Sequence, residues 1–151
     1  MTDGQAAPTT QLGDITSSTP YGNLEPPFNL VGLAATSGAT YVARWPGYDT
    51  FRLQKSLRKA LKRKGFSFIE IIVPCFTQYG RRNRKEGVIE MMEWLRDIVD
   101  LRVGCLPREA VMDLNGRLVV CGEFVEIDGG GFIENLQKLR DHVKEKATEK
   151  Q

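Results

Sequence analysis

The chain has 151 residues, of which 41% are hydrophobic and 26% charged, a composition typical of one globular domain with a substantial core. It contains no run of about 18 uncharged apolar residues, and its first residues lack a basic and an apolar region, so we expect no membrane span, no signal peptide and a cytoplasmic location. Three widely spaced cysteines argue against a disulfide framework, and no CxxC pair offers a complete metal site.

The net charge of +2 conceals a basic zone. From Arg52 to Lys85 there are eleven Lys or Arg residues against one Glu, which leaves a net charge of −8 for the rest of the chain. A basic zone attracts nucleic acid, phosphorylated cofactors or acidic proteins, and the sign of the charge does not choose among them. We rank nucleic acid last, because the basic helix lacks an evident aromatic stacking platform or reading-helix motif.

Residues 1–28 are rich in Gly, Pro, Thr and Ser and show neither helical nor strand periodicity. The sequence therefore predicts a long irregular segment. Segments of this length in compact proteins are usually either functional loops or disordered tails, and composition leaves both alternatives open.

An α/β core is predicted to follow, over residues 29–104. Asn29 is a suitable N-cap for a short helix that ends near Ser37, and the strand ATYVARW comes next. Residues 49–64 form an amphipathic pattern with apolar side chains at i, i+4, i+7 and i+8. The run FSFIEIIV is nearly all apolar, which predicts a strand covered on both faces of a parallel sheet. Together these elements predict a βαβ unit.

The second half of the chain carries three further patterns. A stripe of apolar residues, Val88, Met91, Met92, Leu95 and Ile98, indicates a helix whose stripe belongs to the core. The pair Asn115-Gly116 lies between two apolar runs and predicts a β-hairpin. A last helix is predicted over residues 131–146, and residues 105–151 are therefore taken as a C-terminal hairpin and helix.

Cys75 is the first candidate for chemistry, because it follows the strand FSFIEIIV and ligands in α/β sheets bind beyond the carboxyl ends of parallel strands. One alternative is a buried structural thiol, the commoner role of a free cysteine. The other is a thiolate ligand or nucleophile whose pKa is lowered by Arg81 and Arg82. A Cys/His catalytic pair is disfavoured, since the single histidine, His142, falls on the outer side of the last helix.

Three stretches of the sequence carry a resemblance to a known family: MTDGQAAPTT, TPYGNLEPPFNLVGLAATSGATYVARW and GFSFIEIIVPCFTQYGRRN. They resemble the β subunit of 2-oxoacid:ferredoxin oxidoreductases over residues 1–84, and VIEMMEWL and LVVCGEF extend a looser match toward the end. The forms PYGNLEPPF and QYGRRN are most similar to the 2-oxoglutarate branch. The resemblance covers only the later part of such a subunit.

The resemblance implies a partial thiamine-diphosphate-binding fold, an α/β fold with a parallel sheet and flanking helices. It implies the cofactors thiamine diphosphate, Mg²⁺ and one 4Fe-4S cluster, with Cys75 as a metal ligand. The segment 1–28 then becomes a loop on the cofactor and substrate side. In this loop the resemblance assigns Thr2, Gly4 and Gln5 to cofactor binding and Met1 and Asp3 to the substrate side. The family's Gly-Asp-Gly stretch and its other cluster cysteines have no counterpart in this sequence.

The implied activity is oxidative decarboxylation of 2-oxoglutarate to succinyl-CoA, with electrons passed through the cluster to ferredoxin. The implied partners are the α subunit and further subunits of the same enzyme, ferredoxin, coenzyme A and a 2-oxoacid, and we expect the chain alone to be inactive. Two alternatives stay open. The first is that the chain is a non-catalytic fragment or interaction module. The second is that the substrate is pyruvate, because Asp3 stands where the family usually has Gly or Lys and would repel a dicarboxylic substrate.

Overall fold

The computed structural model describes residues 4–83 and 87–148. The helices are α1 (Leu30–Thr36), α2 (Thr50–Lys62), α3 (Val88–Ile98) and α4 (Phe132–Thr148), and the strands are β1 (Tyr41–Pro46), β2 (Ser67–Ile72), β3 (Val99–Arg102), β4 (Met112–Asp113) and β5 (Leu118–Glu126). A π-helical turn covers Phe76–Gly80, and a 3₁₀ turn covers Pro107–Glu109. Within the described ranges no helix combines the length and apolar character that crossing a membrane requires.

The first two helices begin where the sequence predicted. The side chain of Asn29 accepts a hydrogen bond from the Gly32 amide at 3.0 Å, and it caps α1. Asp49 caps α2 in the same way, by accepting from the Arg52 amide at 3.1 Å. Each cap satisfies a backbone donor that the first turn of a helix leaves without a partner.

The sheet has the order β2-β1-β5-β3, and β4 pairs with the first two residues of β5. Strands β1 and β2 are parallel, which confirms the predicted βαβ unit. The rest of the sheet is mixed, because β5 runs antiparallel to β1 and parallel to β3. The structure also confirms the predicted hairpin: the chain reverses between β4 and β5, and these two strands pair antiparallel.

The two faces of the sheet bury different side chains. Tyr41, Ala43 and Trp45 of β1 pack with the apolar side of α2, while Val42 packs with α1 on the other face. Helix α3 buries Leu95 and Ile98 against β5, and Met91 is buried as well, so most of the predicted stripe belongs to the core, while Val88 at its start is exposed. The fold is therefore a mixed sheet with helices on both faces.

Strand β2 lies at the edge of the sheet, and its two faces are covered in part, because Phe68 packs on one side and Ile69 on the other. Ile71 is 44% exposed, and Val73, just beyond the strand, is 67% exposed. No described strand pairs with the outer side of β2, and this leaves one row of its backbone groups open.

Helix α4 exposes most of its apolar stripe. The large exposed side chains on this helix are Phe132, Ile133, Leu139 and Val143. An ion pair of 2.6 Å between Lys64 and Glu134 joins its first turn to the segment that follows α2. The helix therefore follows the predicted pattern, but nothing within the described residues covers its stripe.

Candidate functional site

The candidate site lies at the carboxyl edge of β1 and β2. Because the two strands are parallel, their carboxyl ends meet, and the Gly47 amide donates to the Ile72 carbonyl at 2.9 Å. A cavity of about 270 Å³ opens beyond this edge. Its lining residues come from the N-terminal loop, the end of β2 and α3: Ala7, Thr9, Thr10, Asp14, Ile72, Val73, Pro74, Cys75, Tyr79, Met91, Trp94, Leu95 and Leu114.

Cys75 lies on this cavity, immediately before the π-helical turn, and it is exposed. Its pKa is lowered by the backbone amides of Tyr79 and then Gln78, which hydrogen-bond to the sulfur, and by the Thr77 hydroxyl 3.7 Å away. Hydrogen bonds to a thiolate favour the charged form. The predicted Arg81 and Arg82 are not among the largest causes of this shift, so the turn itself stabilises the anion.

The other two cysteines have the opposite environment. Cys105 and Cys121 are buried, and burial raises the pKa of both thiols, that of Cys121 to about 12. A metal ligand or nucleophile must be a thiolate that other groups can reach. Among the described cysteines, Cys75 alone combines exposure with a lowered pKa.

The N-terminal loop, residues 4–29, contains no helix or strand, yet its own hydrogen bonds hold it together. The buried side chain of Asn23 donates to the carbonyls of Thr10, Gln11 and Glu25, at 3.0, 3.3 and 2.7 Å. The Asn115 side chain, from the hairpin, donates to the Leu12 carbonyl at 3.2 Å. These contacts pack the loop against the body of the chain and beside the cavity.

Asn83 joins the N-terminal loop to the π-helical turn that follows Cys75. Its side-chain amide accepts from the Ile15 amide and donates to the Ile15 carbonyl, both at 2.9 Å, and it also donates to the Tyr79 carbonyl at 2.9 Å. Burial raises the pKa of the Tyr79 hydroxyl, and its hydrogen bond with the Asp14 carboxylate raises it further. Sequence reasoning missed both Asn83 and Asp14, because the local sequence shows only polar residues in irregular segments.

The predicted cofactor residues are only partly described. Met1, Thr2 and Asp3 fall outside the described residues. Gly4 and Gln5 are exposed, and the cavity beside Cys75 is not lined by either. A side-chain carbon added at Gly4 would contact nothing within 4 Å, so the described residues form no tight backbone cradle there. The structure therefore brings Ala7, Thr9 and Thr10 to Cys75, but not Gly4 or Gln5.

Cys75 fits one ligand of a metal centre and not a whole one. Within residues 4–83 and 87–148, no three His, Cys, Asp or Glu side chains are grouped closely enough to hold a metal ion. A 4Fe-4S cluster ordinarily takes about four thiolates. Any cluster bound at Cys75 would need ligands from outside the described residues.

Comparisons with known proteins agree with this fold. Residues 1–71 match the family model described as thiamine pyrophosphate enzyme, C-terminal TPP binding domain. The chain is 38% identical to the 2-oxoglutarate synthase subunit KorB of Methanocaldococcus jannaschii, over 95% of this chain and 53% of that protein. It is also 38% identical to the KorB subunit of Methanothermobacter thermautotrophicus, over 99% of this chain and 51% of that protein. The chain thus spans about half the length of the curated relatives it matches.

A solved structure has a similar arrangement of the backbone over the matched part. It is described as 2-oxoglutarate:ferredoxin oxidoreductase from Magnetococcus marinus with 2-oxoglutarate, coenzyme A and succinyl-CoA bound. The TM-score is 0.69 at 24% identity, and the match covers 95% of this chain and 48% of that one. The similarity confirms the fold class predicted from the sequence, a partial thiamine-diphosphate-binding fold.

Proposed function

The chain is a homologue of the β subunits of 2-oxoacid:ferredoxin oxidoreductases over about half their length, and from this relationship we propose that it works as part of such a subunit. The proposed enzyme converts 2-oxoglutarate and coenzyme A to succinyl-CoA, CO₂ and a proton, and it passes two electrons singly to ferredoxin. The names of the relatives support 2-oxoglutarate as the substrate. We also propose a cytoplasmic location, a compartment in which free thiols such as these three stay reduced.

The observation that carries the proposal is the exposed Cys75 thiol on the cavity at the carboxyl edge of the sheet. Its sulfur is exposed, and the amides of the following turn favour its anionic form. We assign it as one ligand of a 4Fe-4S cluster whose other ligands lie outside this sequence. Cys105 and Cys121 are unsuited to this role because burial keeps their thiols protonated.

Thiamine diphosphate, when bound with Mg²⁺, supplies the carbanion chemistry that releases CO₂ from a 2-oxoacid. The match of residues 1–71 to the TPP-binding domain supports its use. We assign Thr2, Gly4 and Gln5 to contacts with this cofactor and Met1 and Asp3 to the substrate side, with Mg²⁺ ligands contributed from elsewhere. The loop that follows these residues reaches the Cys75 turn through Asn83, and this contact supports a shared site.

A second candidate function is a non-catalytic role in holding such a complex together. Two features favour it: the open edge of β2 and the exposed apolar stripe of α4. Large exposed apolar surfaces commonly mark sites of association. This candidate requires neither a cluster nor a reactive Cys75.

The test is to purify the complex that contains this chain and to measure reduction of methyl viologen with 2-oxoglutarate and coenzyme A. We expect substrate-dependent reduction and the electron paramagnetic resonance signal of a reduced 4Fe-4S cluster. The Cys75→Ser variant should lose that signal and at least about 100-fold in activity, since the loss of one thiolate ligand disrupts electron transfer.

The matched control is Cys105→Ala, which removes a buried thiol that we do not assign to the cluster. It should keep both the signal and the activity of the parent complex. A Cys75→Ser complex that retains an unchanged cluster signal contradicts the ligand assignment. A complex that assembles normally but never reduces methyl viologen supports the non-catalytic candidate instead.

A further inference from the structure

The outer side of α2 carries a line of basic residues next to exposed apolar ones. Phe51, Lys55, Arg58 and Lys62 follow one another at i, i+4, i+7 and i+11, so they share one stripe of the helix. All four are exposed, and we call this stripe the basic face. The opposite side of the helix, with Leu53 and Ala60, packs on β1.

The other basic residues of α2 and of the segment after it form ion pairs with acidic residues of the same chain. Lys59 forms ion pairs with Glu123 at 2.9 Å and Glu126 at 2.7 Å. Arg63 pairs with Glu126 at 2.6 Å and with Asp128 at 3.1 Å. Lys59 and Arg63 are therefore already engaged with the acidic residues of β5 and of the segment after it.

The basic face retains its charge. Within the part of the chain that the structure describes, Lys55, Arg58 and Lys62 form no ion pair. Large apolar side chains accompany them: Phe51 is 79% exposed and Leu61 is 87% exposed. A surface that combines uncompensated positive charge with exposed apolar groups has the composition of a protein-docking site.

The geometry disfavours two other kinds of partner. Insertion into a membrane surface requires a free, continuous apolar helix face, whereas Leu53 and Ala60 of α2 pack on the sheet and the exposed apolar side chains stand among basic residues. Nucleic-acid binding typically neutralises about 6–10 phosphates, whereas the basic face offers three free cations.

We propose that the basic face docks an acidic protein, and, resting on the function proposed above, that this protein is the ferredoxin-type electron carrier. Complementary charge steers such a partner to the surface and sets its association rate. The location suits this role. Helix α2 begins directly after β1, at the carboxyl edge where the Gly47 amide contacts the Ile72 carbonyl, and the chain reaches Cys75 from that same edge.

The test measures binding of an acidic 4Fe-4S ferredoxin to the purified complex that contains this chain, by biolayer interferometry at low and at high salt. The variant Lys55→Glu/Arg58→Glu reverses two charges of the basic face. We expect its Kd to rise about tenfold or more at low salt and the difference to shrink at high salt, because salt screens exposed charges. The KM for ferredoxin should rise in parallel, while methyl viologen reduction stays unchanged.

The control variant Lys138→Glu/Arg140→Glu makes the same change of charge at two exposed positions of α4. It should leave ferredoxin binding within about twofold of the parent, since screening confines the effect of a charge to its neighbourhood. Equal effects of the two variants overturn the basic face as the docking site. So does a basic-face variant that loses binding to a short DNA duplex or to anionic vesicles while ferredoxin binding persists.

Failure of the enzyme function gives a different result. A complex that binds ferredoxin through the basic face but does not reduce methyl viologen contradicts the proposed activity and still supports the docking surface. A complex that reduces methyl viologen, but whose ferredoxin binding is the same with and without Lys55→Glu/Arg58→Glu, contradicts the docking surface alone.

Discussion

At the scale of single residues, backbone geometry distinguishes Cys75 from the other cysteines. The π-helical turn directs the amides of Tyr79 and Gln78 at the sulfur, and these donors favour the thiolate. Cys121 has no such turn and is fully buried in the core around α3. The sequence located Cys75 at the end of a strand, but the donors that tune its pKa depend on the conformation of the five residues that follow.

This difference predicts selective alkylation of the isolated chain by iodoacetamide. Cys75 should react at least about tenfold faster than the other two cysteines near neutral pH, because a larger fraction of it is thiolate and the sulfur is accessible. Its rate should reach half of its maximum below the ordinary pKa of a thiol. Thr77→Val removes one donor, so the midpoint should move to higher pH, as a pH series read by mass spectrometry would show. Equal rates for all three cysteines would contradict the assigned environment.

At the scale of secondary-structure elements, a buried ion pair links the two parallel strands. Arg44 of β1 and Glu70 of β2 are cross-strand partners, and the Arg44 Nε atom donates to the Glu70 carboxylate at 2.7 Å. The side chains are 0% and 8% exposed. Arg44 also donates to the carbonyls of Ala110 and Val111, at 3.2 and 3.0 Å. One side chain therefore holds β1, β2 and the segment before β4 in register.

Removing the carboxylate should be costly because it leaves the buried guanidinium without its counter-charge. We expect Glu70→Gln to lower the free energy of unfolding by about 3–5 kcal/mol. The double variant Arg44→Met/Glu70→Leu should recover part of that loss, since it removes both charges. Urea unfolding followed by circular dichroism measures both variants.

An exposed pair provides the comparison for this prediction. Asp100 and Arg102 form a surface ion pair of 2.8 Å, with both side chains more than 40% exposed. Asp100→Asn should change the free energy of unfolding by less than about 1 kcal/mol. If Glu70→Gln lowers the free energy of unfolding no more than Asp100→Asn does, the buried pair does not hold the strands as proposed.

At the scale of the whole molecule, apolar surface is left open at two places. Strand β2 has the near-continuous apolar sequence of a strand inside a sheet, yet it lies at an edge. The stripe of α4 is exposed as well. Since the chain spans about half the length of its curated relatives, these surfaces are where we expect further polypeptide to pack.

This expectation predicts that Ile71→Asp blocks assembly more than it destabilises the chain. Ile71 is 44% exposed, so the change should cost the isolated chain little, about 1 kcal/mol or less. In the complex, a carboxylate at a covered apolar edge should weaken association by at least about tenfold. Co-purification of the subunits and hydrogen exchange of residues 67–73 measure the effect.

The control for this prediction lies at the opposite edge of the sheet. Val103 follows β3 and is fully exposed, so Val103→Asp introduces the same charge without touching β2. It should leave assembly unchanged. Normal assembly of the Ile71→Asp variant, with unchanged exchange in β2, would show that the open edge stays open.

The sequence by itself determined the features that depend on neighbouring residues. The cap Asn29, the amphipathic helix α2 and the hairpin at Asn115 all follow from local hydrogen bonding and periodicity. The same local information located Cys75 just after a strand, and the motif stretches carried the resemblance that the comparisons confirm.

Only the tertiary structure decided the features that join distant parts of the chain. The direction of β5 beside β1, the short strand β3 that follows α3 without a break, and the pairing of Arg44 with Glu70 leave no local pattern. The hydrogen bonds between the Asn83 side chain and the Ile15 backbone likewise join residues 68 positions apart. Such contacts depend on which surfaces are left to be buried once the local elements have formed. Periodicity along the chain does not predict which of these surfaces pair.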